Sequence, residues 1–365
     1  MKLKTIDQAD LGNRNVIVRV GFDCPLNQAL EVADSYRIDR GLESFRYLID
    51  EGVNKVIVIS KLGRPKSEYN PKLSLKPIFE EFERKFRARG FTDIKMALLD
   101  YNKDISLVLK EAEKRKEKIL FLENIRFWAK GNEENLKLAE QIAKTGEVFI
   151  NDCFNVSHRV HPTITGITNY LPSYAGFLVL EEVKNIEEAI EKPQKPAVAV
   201  IGGAKLETKI PIIKKLAQKY DQVLVGGLIA VEVMNKIENF NSFLSVEERE
   251  KVVLPLGFSD IEQRDINDET ALKYAGILKN ARTILWNGPM GKFEEPPFDK
   301  GSKIVAEAIA NAEAYKLTGG GETVEMLKAF GFFDRIDFVS TGGGAMLDLI
   351  GGKEMPGLEV LQEKV

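Results

Sequence analysis

The sequence predicts an α/β protein of two domains, each a parallel β-sheet flanked by helices in a doubly wound arrangement, joined by a helical hinge. Three observations carry this reading. A chain of 365 residues, at about 150 per domain, is long enough for two cores. Eight short, apolar, β-branched runs alternate with stretches of helical periodicity. The residues that follow those runs also change character midway, from basic to glycine-rich.

In the first half the apolar runs are 15–20, 55–60, 118–122 and 147–151; in the second they are 197–201, 222–225, 283–286 and 336–340. Continuous rather than alternating apolar character is what a strand buried on both faces requires, and such strands belong to parallel sheets. Between them, 39–52, 75–89, 133–145, 209–220 and 301–312 carry apolar residues at helical spacing, which makes repeated βαβ units and a Rossmann-like architecture. The turn-containing stretch Tyr170-Leu-Pro-Ser-Tyr-Ala-Gly176 marks the end of the first half, and 177–190 reads as one long helix ahead of the breakers Pro193 and Pro196. The expected organisation is therefore a basic domain over 1–172, a connecting helix over 173–190, a glycine-rich domain over 191–350, and a C-terminal segment over 351–365 that packs back on the first domain.

Composition narrows the function. Hydrophobic residues make up 44%, and no run approaches the roughly 18 apolar residues of a membrane span. The 52 Lys and Arg balance 55 Asp and Glu, which argues against a polybasic nucleic-acid binder. The opening Met1-Lys-Leu-Lys-Thr-Ile-Asp7 lacks the apolar stretch of a secretory signal, and two cysteines, Cys24 and Cys153, make no disulfide framework, so a cytoplasmic location is expected. The net charge of −3 conceals an asymmetry: residues 1–170 hold 29 basic and 25 acidic side chains, and residues 171–365 hold 23 and 30.

Ligands of open α/β sheets lie beyond the carboxyl ends of the strands. In the first half those ends carry Asp23, Lys61, Arg64, Arg126 and Arg159, with Arg37 at the start of the first helix. Guanidinium forks and an ammonium converging on one rim suit a small polyanion. In the second half the strand ends carry Gly202-Gly-Ala-Lys205, Gly226-Gly227, Asn287-Gly-Pro-Met-Gly291, Gly319-Gly-Gly-Glu-Thr323 and Gly342-Gly-Gly344. Glycine lets backbone N–H groups approach an anion, and a helix starting there adds its own unsatisfied donors, so these turns read as phosphate cradles. The G-x-x-x-x-G-K-[ST] loop, G-x-S-x-G and the protein-kinase motif set are absent. His158 and His161 have no cysteine pair beside them to make a zinc site and read as local hydrogen bonders; the cysteines, Trp128 and Trp286 read as packing residues.

Nine phrases in order, spanning almost the whole chain, resemble phosphoglycerate kinase: Val18-Arg-Val-Gly-Phe-Asp-Cys-Pro-Leu26, Ser60-Lys-Leu-Gly-Arg-Pro65, Leu122-Glu-Asn-Ile-Arg-Phe127, Asn151-Asp-Cys-Phe154, His158-Arg-Val-His161, Gly202-Gly-Ala-Lys205, Trp286-Asn-Gly-Pro-Met-Gly291, Gly319-Gly-Gly-Glu-Thr323 and Ser340-Thr-Gly-Gly-Gly-Ala345. The resemblance implies reversible phosphoryl transfer between 1,3-bisphosphoglycerate and ADP, giving 3-phosphoglycerate and ATP with Mg²⁺. It implies a monomer with one substrate per domain, brought together by hinge closure that excludes water. Position by position, Arg37, Arg64, Arg126 and Arg159 would hold the phosphoglycerate together with Asp23 and Lys61. Lys205 and Lys209 would stabilise the transferring phosphoryl and the nucleotide phosphates, and Glu294 would contact the ribose. Gly320, Gly321, Glu322 and Thr323 would face the phosphates, Glu322 reaching Mg²⁺ directly or through water, and Gly343 and Gly344 would offer N–H donors to the phosphoryl in flight.

The chain departs from the family's pattern at Gly21, where an Asp is usual, at Lys61, where a His is usual, at Glu322, where an Asp is usual, and in a shorter stretch between Val252 and Thr270. Gly21 loses a carboxylate toward the substrate hydroxyl, which Asp23 is expected to replace in part. These departures keep two other readings open: a non-catalytic nucleotide or metabolite binder, and an acyl-phosphate kinase with a shifted acceptor.

Overall fold

The computed structural model of the chain describes residues 1–65, 68–129 and 136–363. It divides into two units, Met1–Val183 with Glu354–Val365, and Lys184–Lys353. Each is built on a six-stranded sheet whose neighbouring strands are all parallel.

In the first unit the strands are β1 (Asn15–Val20), β2 (Lys55–Ile59), β3 (Met96–Leu98), β4 (Ile119–Phe121), β5 (Val148–Asp152) and β6 (Ser173–Ala175), in the order β3-β4-β2-β1-β5-β6. The chain works outward from β1 in one direction and from β5 in the other, so the topological switch lies between these two strands. Burial explains why β1 forms: Val16, Val18 and Val20 enter one apolar cluster with Ile38, Leu42 and Phe45, while Ile17 enters a second with Ile57, Leu120 and Phe149 on the opposite face. Each such side chain contributes about 1.5–3 kcal/mol when fully buried.

The first helix, Tyr36–Asp50, starts where Asp34 accepts the Tyr36 N–H at 3.0 Å, and it buries Ile38, Leu42, Phe45 and Leu48 at helical spacing. The helix expected over 133–145 runs Leu136–Ala143; Glu133 lies outside the described residues. Residues 354–363 belong to the first unit, with Lys4 N–H donating to Leu361 O at 2.8 Å and Gly357 N–H to Ser157 O at 2.8 Å.

The second unit contains β7 (Ala197–Ile201), β8 (Gln222–Val225), β9 (Val252–Val253), β10 (Thr283–Asn287), β11 (Tyr315–Gly319) and β12 (Phe338–Ser340), ordered β12-β11-β10-β7-β8-β9. Its switch point lies between β7 and β10. The helix Phe177–Glu191 spans the boundary between the units, its residues to Val183 counting with the first. Trp286 is buried in the core of the second unit; in the first unit Trp128 is buried, as are Cys24 and Cys153. No helix among the described residues is long and apolar enough to cross a membrane.

Candidate active site

In the first unit the carboxyl ends of β1, β2 and β5, with the turn Ile125–Phe127 after β4, frame a cavity of about 180 Å³. Asp23, Lys61, Arg64, Arg126 and Arg159 all line it. The Lys61 ammonium is paired with Asp23 Oδ2, and Asp23 Oδ1 accepts the Gly63 N–H at 3.1 Å. Burial works to raise the Asp23 carboxyl, but the Lys61 ammonium and the Gly63 amide hold it below the usual carboxylate range. Burial pulls the Lys61 ammonium down, against the attraction of Asp23.

Arg126 donates to Gly63 O, and burial together with Arg19, Arg64 and Arg159 disfavours its charge, with Asp23 opposing. Arg37 does not line the cavity, but it donates to the Asp23 carbonyl and so stands beside it. Arg64 and Arg159 are exposed, and Arg159 Nε lies 3.0 Å from His158 Nε2. Four cations against one carboxylate leave a positive excess that an anion with two charged ends satisfies.

The cleft is held open by buried polar partners. Asn124 accepts the Leu62 N–H at 3.2 Å and donates to Leu62 O at 2.7 Å and Leu73 O at 2.9 Å, which pins the Leu62-Gly63-Arg64 turn. Beneath it Arg19, 1% exposed, donates to Thr163 Oγ1 at 3.1 Å and to Ile59 O at 3.4 Å. Sequence reasoning missed Arg19, although a charged residue inside a strand buried on both faces has to be buried and partnered. His161 accepts the Thr163 N–H at 3.2 Å, and burial, reinforced by Arg19, Arg126 and Lys61, drives its imidazole down to about 3. It is a neutral acceptor that orders the turn under the cleft.

In the second unit four helices begin directly after strand ends: Leu206–Lys219 after β7, Gly227–Asn235 after β8, Gly321–Ala329 after β11 and Gly343–Ile350 after β12. Backbone-to-backbone packing brings them close. A Cβ on Gly202 would stand 2.2 Å from Pro289 O, and one on Gly343 would stand 2.5 Å from Gly320 Cα. Lys205 is the exposed N-cap of its helix, while Lys209, one turn further on, is buried and donates to Asn287 Oδ1. Burial draws the Lys209 ammonium down to about 8, and nearby Glu322 partly offsets the fall.

Gly320 adopts φ +108°, the left-handed region, and caps the helix on which Gly321, Glu322 and Thr323 form the first turn. Gly321 and Glu322 are exposed, whereas Thr323 is buried and its Oγ1 accepts the Gly288 N–H at 2.8 Å. Gly343 and Gly344 open the helix Gly343–Ile350, so their N–H groups belong to its unsatisfied first turn. The exposed Glu294 follows buried Phe293 on a loop that Ser302 pins, accepting the Met290 and Gly291 N–H groups at 2.9 and 3.2 Å. Asp265 fastens the helix that carries Ser302 by accepting the Gly301 N–H at 2.7 Å.

A metal would find one carboxylate here, Glu322. No group of three or more His, Cys, Asp and Glu comes together among the described residues. Magnesium is commonly held by one or two carboxylates with substrate phosphates and water, so the donor set fits a nucleotide-borne Mg²⁺.

Two doubly wound units, one with a cationic cleft and one with glycine-lined helix N-termini, define a phosphotransferase of small, highly charged metabolites. The comparisons with known proteins sharpen that class. The family described as phosphoglycerate kinase matches residues 6–254 and 239–353. The phosphoglycerate kinase of Chloroflexus aggregans is 35% identical over 407 residues, covering 100% of both chains, and that of Moorella thermoacetica is 33% identical, covering 99% of each. The solved phosphoglycerate kinase structure from Coxiella burnetii superposes with a TM-score of 0.80 at 28% identity, over 98% of each chain. This chain belongs to the phosphoglycerate kinase family. It is an enzyme, a kinase of glycolysis that catalyses reversible phosphoryl transfer, and nothing in these likenesses favours a non-catalytic binder or another acceptor.

Proposed function

We propose that the first unit binds 3-phosphoglycerate and 1,3-bisphosphoglycerate, and that the second binds ADP and ATP with Mg²⁺. The observation that carries this division is the cavity lined by Lys61, Arg64, Arg126 and Arg159, set against four helix N-termini with a buried lysine in the other unit. Arg37, Arg64, Arg126 and Arg159 hold the phosphoglycerate, Lys61 adds a charge, and Asp23 orients Lys61 and Arg37. Lys205 and Lys209 neutralise the nucleotide phosphates and the transferring phosphoryl, and Glu294 accepts from the ribose. Gly320, Gly321, Glu322 and Thr323 line the phosphates, with Glu322 toward the metal. When bound, magnesium neutralises charge on the nucleotide's phosphate oxygens.

Phosphoryl transfer is catalysed chiefly by positioning and by neutralising charge on the equatorial oxygens. Arg37, Lys205 and the N–H groups of Gly343 and Gly344 supply that neutralisation. No side chain has to act as a general base, because the acceptor oxygen is already ionised as carboxylate or phosphate. Water must be excluded, since it competes as acceptor, and closure about the helix Phe177–Glu191 serves that end. The protein works as a cytoplasmic monomer.

A coupled assay of MgATP-dependent phosphorylation of 3-phosphoglycerate tests the reading. Turnover by the wild-type protein, lost in Arg37→Ala with folding intact, is the expected outcome. Absence of turnover at millimolar substrate, with nucleotide still bound, would return the non-catalytic reading to the front.

A further inference from the structure

Because β1 and β5 flank the switch point of the first sheet, Gly21, the residue after β1, lies against the turn that follows β5. The space a side chain on Gly21 would occupy is filled by the Asn155 amide. A Cβ on Gly21 would stand 2.5 Å from Asn155 Oδ1 and 3.0 Å from its Cγ. Asn155 Nδ2 donates to Gly21 O at 3.4 Å, and the Cys153 thiol donates to Asn155 Oδ1 at 3.0 Å. An amide offers two N–H groups and two lone pairs, so one of each is left over. Asn155 is half-buried and lines the same cavity as Lys61, Arg64, Arg126 and Arg159.

The cations of that cavity match the phosphate and the carboxylate of a phosphoglycerate, but they do not match the hydroxyl between them. A secondary alcohol is both donor and acceptor, and it is read by a neutral group that is both in turn. Asp23 is not free for that task, since its Oδ2 is paired with Lys61 and its Oδ1 accepts from Gly63. We propose that Asn155, seated over Gly21, reads the secondary hydroxyl of the phosphoglycerate, and that residue 21 is glycine to leave room for the Asn155 amide. This specificity-determining role rests on the phosphoglycerate occupying the cavity of the first unit.

The test measures dissociation constants by calorimetry for 3-phosphoglycerate and for 3-phosphonooxypropanoate, the same molecule without its hydroxyl. A neutral hydrogen bond is worth roughly three- to tenfold, and wild-type protein is expected to prefer the hydroxylated ligand by about that factor. Asn155→Ala should erase the preference by weakening 3-phosphoglycerate alone. Gly21→Ala should do the same, because its Cβ evicts the Asn155 amide, and the double variant should be no worse than either single one. Equal weakening of both ligands in Asn155→Ala, or a preference that survives in it, would overturn the proposal. Arg126→Ala separates this failure from failure of the underlying placement: it should weaken both ligands alike, and unchanged affinities there would overturn the placement and the proposal together.

Discussion

Lys209 offers the sharpest test of how the nucleotide unit works. It is 7% exposed, and burial lowers its ammonium from an ordinary 10.5 to about 8. A base whose folded-state value is depressed opposes folding while it stays charged. The penalty is full below pH 8 and is relieved as pH rises from 8 toward 10.5, where the unfolded chain also loses its proton. A gap of about 2.5 between the two values is worth about 3 kcal/mol at pH 7.

Replacing the lysine with methionine keeps the aliphatic stem and removes the charge, at the loss of the Asn287 hydrogen bond, about 1 kcal/mol. Lys209→Met should therefore raise the stability of the ligand-free unit by about 2 kcal/mol at pH 7, roughly 4–8 °C in thermal unfolding, and the gain should fade as pH approaches 10. An anionic phosphate beside the ammonium should restore its proton. Nucleotide binding by wild-type protein should then take up about half a proton at pH 8 and almost none at pH 6.5, read by calorimetry in buffers of different ionisation enthalpy. The reasoning is refuted if Lys209→Met takes up as many protons as wild type, or if it destabilises the ligand-free protein.

Two further outcomes follow from buried groups in the first unit. His161 is held neutral down to about pH 3, so stability is complete above 6.5, the ordinary value, and is lost as pH falls toward 3. Between pH 6.5 and 5 the loss should be about 2 kcal/mol, and His161→Asn should flatten that part of a urea-denaturation profile measured against pH. Asp152, fully buried, accepts the Leu178 and Val179 N–H groups at 2.9 and 3.4 Å at the start of the helix Phe177–Glu191. Asp152→Ala should cost about 1–2 kcal/mol in thermal unfolding while leaving nucleotide affinity unchanged.

The strands were legible where both faces are buried, because a continuous apolar run admits few other readings. β1, β7 and β8 occupy the stretches expected of them. β3, β6 and β9 were not legible. They have three, three and two residues, β3 and β9 lie at sheet edges half-buried throughout, and so short a run carries no period. β11, Tyr-Lys-Leu-Thr-Gly, was hidden by a lysine and a glycine that make it look like the end of a loop.

The cationic rim could be read because each arginine directly follows a strand, a local fact. The relation between Gly21 and Asn155 could not, since the two are 134 residues apart and only the pairing of β1 with β5 makes them neighbours.

The glycines of the second unit show where local reasoning stops. Their clustering is consistent with turns, with close approach of a ligand, or with close approach of backbone. The structure separates these for individual residues: Gly320 needs its left-handed φ, whereas Gly202 and Gly343 need the absence of a Cβ because another main chain passes within 2.5 Å of where it would be. Neither requirement refers to a ligand, yet together they bring four helix N-termini to the strand ends, where first-turn N–H groups have no intrahelical acceptor. A phosphate-binding surface thus arises from packing rules applied to the backbone. Side chains such as Lys209 then add the charge that packing alone leaves out.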